Sequence, residues 1–186
     1  NQKIKTAIKK TAGKILTWNN KPINTVYHAT NGGVMASIEE AWSTNPVSYL
    51  QMRLDGPKSW SNKVDLPLSN QKYLKSFLFS KSEAFGSDHP LFRWNITLDA
   101  SQISKQLNQA QKVSSSFYPK KIKTISRGTS GRVTSLKIEG NSGSAIFLKV
   151  DEIRRVLRQL PSTLFVVKEI KEGKWLFSGG GFGHGV

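Results

Sequence analysis

Two of the three histidines stand beside glycines. His28 runs into Ala29-Thr30-Asn31-Gly32-Gly33, and His184 lies inside the closing run Gly179-Gly180-Gly181-Phe182-Gly183-His184-Gly185. An imidazole at a strand end, with no side chain crowding it from the neighbouring glycines, can hydrogen-bond a sugar hydroxyl or position a nearby acid. The competing role for each is a satisfied structural histidine. His89, before Pro90 in a polar stretch, has no such setting. Thr30, Asn31, Gly32 and Gly33 offer side-chain and backbone donors suited to an N-acetyl group, or else form a tight turn, and Gly183 gives a ligand close access to the backbone beside His184.

The acids are scarcer. Glu39 and Glu40 are the one pair beside the glycine-rich loop, and their ordinary role is that of solvated or capping residues on a short helix, since Ser37 and Glu40 have the spacing of a capping box. Asp55, next to Gly56-Pro57, reads as a turn residue, and Asp99 and Asp151 as helix caps. Of the five tryptophans, Trp18, Trp94 and Trp175 fall in strand-like runs and are assigned to the core. Trp42 and Trp60 flank a long loop and are the candidates for stacking on sugar faces. Arg154 and Arg155 could meet peptide or phosphate anions, with one of the two laying its apolar stem along the helix.

The elements that must position these residues follow from patterning. Lys14–Trp18 and Ile23–His28 form two β-type runs around Asn19-Asn20-Lys21-Pro22, which predicts a hairpin. Ser43 to Asn70, rich in proline, serine and asparagine, reads as a long irregular region. Phe92–Leu98 predicts a strand, followed by a helix capped at Asp99 or Ser101, carrying Ile103 and Leu107 at i, i+4 and fading near Lys112. Residues 121–126, 132–138 and 145–150 predict an antiparallel meander. Asp151 then opens a helix with Ile153, Val156, Leu157 and Leu160, which Pro161 stops. Leu164–Val167 and Trp175–Phe177 return as strands. The class is α+β, antiparallel and sheet-rich with a few short helices, arranged as one unit or as two lobes flanking a cleft.

Composition narrows the partners. The chain has 186 residues, 37% of them hydrophobic, and a formal charge of +16. That charge attracts a polyanion: nucleic acid, anionic lipid or the anionic polymers of a bacterial envelope. None of the recognised nucleic-acid motifs is visible, so a specific nucleic-acid partner is not expected and a basic nucleic-acid-binding domain ranks last. No stretch has the roughly 18 apolar residues of a membrane span. The absence of cysteine excludes disulfides and Cys-based metal sites. The chain begins at Asn1 without a methionine and stops just after a glycine-rich run, which suggests a domain cut at both ends.

The order of several motifs resembles the SpoIID/LytB family, shared by sporulation protein D and the amidase enhancer LytB. Thr11–Trp18, Lys21-Pro22-Ile23 and Tyr27–Gly33 look like its strand pair leading into a double-glycine loop; Ala41-Trp42, Pro46, Tyr49-Leu50, Pro57 and Trp60 continue it. Gly131-Arg132-Val133, Arg154–Leu157 and Ser162–Phe165 are similar to its later blocks, and Gly181–Val186 to its closing signature.

The resemblance implies an envelope domain that binds and cleaves peptidoglycan glycan strands as a lytic transglycosylase. It implies a substrate surface including Thr30, Asn31, Gly32, Gly33, Trp42, Trp60, Arg154 and Gly183, with His28 and His184 in support. Such an enzyme needs one carboxylic acid at the glycosidic oxygen, which protonates the leaving group and then takes the proton of the sugar's own 6-hydroxyl. In the family that glutamate lies on a segment upstream of where this chain begins, so no catalytic residue is assigned here. Some relatives bind zinc through the loop histidine and cysteines; with no cysteine present, no metal or other cofactor is expected. The alternative that the resemblance allows is a non-catalytic wall module that enhances an N-acetylmuramoyl-L-alanine amidase.

Overall fold

The computed structural model describes residues 2–42 and 44–186. It is an α+β fold of several small antiparallel sheets and short helices. The chain opens with α1 (Gln2–Thr11), a lysine-rich helix with no buried residue. A small hairpin follows, β1 (Thr17–Trp18) and β2 (Lys21–Pro22), which turns on Asn19 and Asn20, both at positive φ. The turn is thus two residues, tighter than the four-residue connection expected, because asparagine tolerates the left-handed backbone that such a turn requires. Trp18 meets the Tyr49 ring at 6.2 Å but stays 49% exposed and does not join the core as expected.

Next come β3 (Val34–Met35) and α2 (Ile38–Trp42). The capping box expected at Ser37 and Glu40 does not form. The Ser37 hydroxyl accepts from the Met52 N–H instead, and the Glu40 side chain turns to a distant loop. Ser43, the first residue of the stretch expected to be irregular, lies outside the described residues. The remainder of that stretch contains β4 (Arg53–Leu54), paired with β3, and α3 (Lys58–Ser61).

Helix α4 (Gln71–Phe79), which the patterning did not predict, starts where the Asn70 side chain accepts from the N–H groups of Lys72 and Tyr73. At its other end Arg93 donates to the Phe77 and Leu78 carbonyls and also to the Gly32 carbonyl. One guanidinium therefore satisfies helix-end acceptors and pins the glycine loop. Burial pulls its pKa down to about 10.

The larger core lies between two three-stranded sheets. Strand β5 (Trp94–Asp99) leads into α5 (Ala100–Gln109) through a full capping box between Asp99 and Gln102. The predicted i, i+4 pair Ile103 and Leu107 is completely buried. The meander is β6 (Pro119–Arg127), β7 (Val133–Gly140) and β8 (Ala145–Lys149), in spatial order. Helix α6 (Asp151–Val156) follows; its cap position is Val150, at positive φ, while Asp151 is its first residue and bonds Arg154. Strands β9 (Phe165–Lys171) and β10 (Lys174–Gly179) complete the second sheet, with β10 between β5 and β9. Trp175 and Phe177 point inward from β10, two residues apart, as strand geometry requires. The same core takes Trp94, as expected.

A second apolar cluster gathers Val34, Trp60, Leu68, Leu74, Phe77 and Phe92, and a small third one joins Ala36, Ile38 and Ala41 to Val186. That third cluster holds the closing segment against α2. No described helix is long and apolar enough to cross a membrane.

Candidate functional site

Strand β10 delivers the glycine run to the loop before β3. Phe182 donates to the Thr30 carbonyl at 2.7 Å and accepts from the N–H groups of Ala29 and Thr30, and Gly185 accepts from Ala36 at 2.8 Å. The fit leaves no room for side chains. A Cβ on Gly32 would lie 2.8 Å from the Gly180 backbone, and one on Gly183, at φ +118°, would lie 3.0 Å from His28 Cβ. The two histidine-bearing stretches, at opposite ends of the sequence, thus become neighbours.

Together they wall a groove of about 530 Å³, lined by Thr25, Val26, Tyr27, His28, Ala29, Arg154, Phe182, Gly183 and His184. Tyr27 is 88% exposed and Phe182 is also exposed. His28 and His184 meet edge to face with centroids 6.0 Å apart, and Trp42 packs on His184 at 4.6 Å. The single residue Val186 bonds both rings. Its carbonyl accepts from His28 Nδ1 at 3.0 Å, so His28 carries its proton on Nδ1 and, when neutral, keeps Nε2 as an acceptor. Its N–H donates to His184 Nδ1, also at 3.0 Å, so His184 holds the opposite tautomer. Burial lowers the His184 pKa; a backbone hydrogen bond with Tyr27 opposes this, and the charges of His28 and Arg154 add to the lowering.

Of the residues singled out from sequence, the structure brings His28, His184, Gly183 and Arg154 together in the groove wall, with Trp42 behind His184. Thr30, Asn31, Gly32 and Gly33 do not line it. They are buried, and their polar groups bond one another and the fold: Asn31 accepts from the Gly33 N–H at 2.8 Å and donates to Asp55 at 2.7 Å, and the Thr30 hydroxyl accepts from the Gly32 N–H. The Asn31 amide and the Gly32 and Gly33 N–H groups thus serve the loop and the fold. Trp60 is 6% exposed, packed at 6.1 Å from Phe77 in the second cluster, where it borders a separate cavity of about 190 Å³. Its neighbour Gly56 sits against the indole and would clash with it if given a Cβ.

Tyr27 and Phe182 were missed. A tyrosine next to His28 and a phenylalanine between two glycines were both visible, but neither pattern says that the ring faces solvent. Also missed was the support behind the groove. Glu40 is 5% exposed and accepts from the Thr129 hydroxyl at 2.9 Å, from the Ser130 N–H at 3.2 Å and from the Ser130 hydroxyl. It is thus a buried carboxylate with its partners, not the solvated or capping residue expected. Close by, Arg132 is fully buried and donates to the Val34 and Asn31 carbonyls at 3.1 and 3.0 Å. Burial brings its pKa down to about 10, against the pull of the Glu40 charge. The guanidinium and Gly185 are so close that the glycine has no room for a Cβ. No group of three or more metal-ligating side chains occurs among the described residues.

Residues 36–186 match a family described as a domain of unknown function (DUF8618). The chain belongs to that family. The matched range takes in α2, Arg132, α6 and the closing glycine run, and begins after His28 and the glycine loop. No curated protein matches the chain.

Proposed function

We propose that this DUF8618 chain is a cell-envelope domain that holds peptidoglycan glycan strands in the groove between Tyr27, His28, Phe182 and His184. The observation that carries the proposal is the composition of that groove: two exposed aromatic rings, a histidine with a defined acceptor nitrogen and an arginine around one open cleft. Aromatic faces stack on the apolar faces of sugar rings, while a few placed polar groups fix their hydroxyls. The ordered motifs resembling the SpoIID/LytB family point to glycan strands as the saccharide and to an extracytoplasmic location.

Cleavage of the lytic transglycosylase kind needs a carboxylic acid at the glycosidic bond. No carboxylate lines the groove among the described residues, and Glu40 is engaged by Thr129 and Ser130. These residues are therefore assigned the holding of the strand, and the acid of a cutting enzyme must come from elsewhere. The same observation favours a second reading, a wall-binding module that enhances an amidase.

Cosedimentation with purified insoluble peptidoglycan tests the proposal. The chain should pellet with the wall, and Tyr27→Ala combined with Phe182→Ala should leave it in the supernatant. A wild-type chain that stays soluble beside intact wall, or a double variant that pellets equally, contradicts it.

A further inference from the structure

Resting on the saccharide reading above, we infer that the groove is built for an acidic saccharide, whose carboxylate is taken by the terminal guanidinium nitrogens of Arg154. Arg154 is in the groove wall and its side chain is 28% exposed. Its Nε donates to Asp151 at 3.0 Å, which fixes the plane of the guanidinium. No hydrogen bond of its two terminal nitrogens is found among the described residues. A guanidinium held by one edge, on a residue that lines a cleft, has paired donors left to match a carboxylate.

Asp151 does not cancel this charge. Its other oxygen lies 3.7 Å from Arg155 Nε, and Glu152, which also feels Arg155, is paired with Lys112, so two carboxylates face three cations and a positive charge is left over. The groove adds no acid of its own among its described lining residues, and His28 Nε2 can accept a hydroxyl from the same ligand. A neutral sugar would leave the Arg154 donors to water; a sugar acid would engage them.

Calorimetric titration of the full chain at about 0.15 M salt, where long-range attraction to the basic surface is screened, compares three tetrasaccharides. These are chitotetraose, which is neutral; a hyaluronan tetrasaccharide, with its carboxylate on the sugar ring; and a tetrasaccharide alternating N-acetylglucosamine with N-acetylmuramic acid, with its carboxylate on a lactyl ether. At least one acid should bind about tenfold or more tighter than chitotetraose, as expected for hydrogen bonds to a charged group, and which acid wins identifies the source of the carboxylate. Arg154→Gln should erase the difference and Arg154→Lys, which keeps the charge without the fork, should retain part of it. Arg158→Gln, which removes an exposed charge outside the groove, should leave it intact.

Equal binding of all three sugars overturns the inference and leaves the saccharide reading standing. So does a preference that survives Arg154→Gln or is lost equally in Arg158→Gln. Binding of none of them removes both.

Discussion

His28 and His184, 156 positions apart in sequence, are tied to opposite ends of one peptide unit's residue: His28 Nδ1 donates to the Val186 carbonyl, and His184 Nδ1 accepts from the Val186 N–H. The consequence is a division of labour. His28 keeps an acceptor for a ligand, while His184 is a neutral, half-buried ring that carries Trp42 on one side and meets His28 on the other.

The state of His184 sets a pH dependence. Its folded pKa lies below the value of an ordinary histidine, mainly through burial. Below about pH 6.5 the unfolded chain binds a proton that the folded chain does not yet take, so the stability contributed by the neutral ring is present above that pH and lost as pH falls through the folded pKa. Denaturant midpoints should therefore decline between about pH 7.5 and 5, and His184→Gln should flatten that part of the profile. An unchanged slope in the variant would assign the decline to other groups.

Glu40 and Arg132 should matter for folding more than for binding. Glu40→Ala removes three hydrogen bonds to a buried carboxylate and should cost about 2–4 kcal/mol in equilibrium unfolding, and Arg132→Met, which strands the Val34 and Asn31 carbonyls, should cost at least as much. A double-mutant cycle with Glu40→Gln and Arg132→Met should show coupling of about 0.5 kcal/mol or more. Additive effects would mean that the charge of Glu40 does not reach the guanidinium.

The tryptophans should separate cleanly. Trp60→Ala opens a cavity in the second apolar cluster and should cost about 3–5 kcal/mol, with glycan binding of the remaining folded protein unchanged. Trp42→Ala, at 37% exposure, should cost far less stability yet weaken binding by releasing His184. Unfolding curves and cosedimentation on the same two proteins check this; the reverse pattern would move the site to the Trp60 cavity.

Gly183→Ala tests the close approach of the closing run. The left-handed backbone and the His28 contact at 3.0 Å should together cost about 1–3 kcal/mol, and the displaced imidazole should reduce binding beyond what the lost stability explains. Full binding at normal stability would show that the His28 and Gly183 segments can part without harm.

The part of this molecule legible in its sequence is the part governed by near neighbours. The cap at Asp99, one of the two positions expected, the buried pair Ile103 and Leu107, and the β6–β8 meander all rest on spacings of a few residues, and all formed. Trp18 was misplaced because alternation in a short run looks the same whether or not a sheet exists to cover it. Helix α1 and helix α4 were missed, the first since nothing in it is buried and the second since its apolar residues Leu74, Phe77 and Leu78 adjoin a proline-rich stretch. In the site, the glycines announced that His28 and His184 have room around them. What they could not announce is that Val186 links the two rings, that Glu40 finds its partners ninety residues away, or that the donors of Asn31 turn inward to Asp55. Those pairings join residues far apart in the sequence, which local spacing does not reveal.

The most direct test of the groove is side-chain NMR of histidine, tyrosine and lysine during titration with a soluble glycan-strand oligosaccharide. Binding at the groove predicts that the His28 and Tyr27 ring signals move first and saturate together, with His184 following through its contact with His28, while the lysine-rich α1 signals stay in place. Shifts confined to α1, or none at the two rings while the oligosaccharide binds, would contradict the groove as the site.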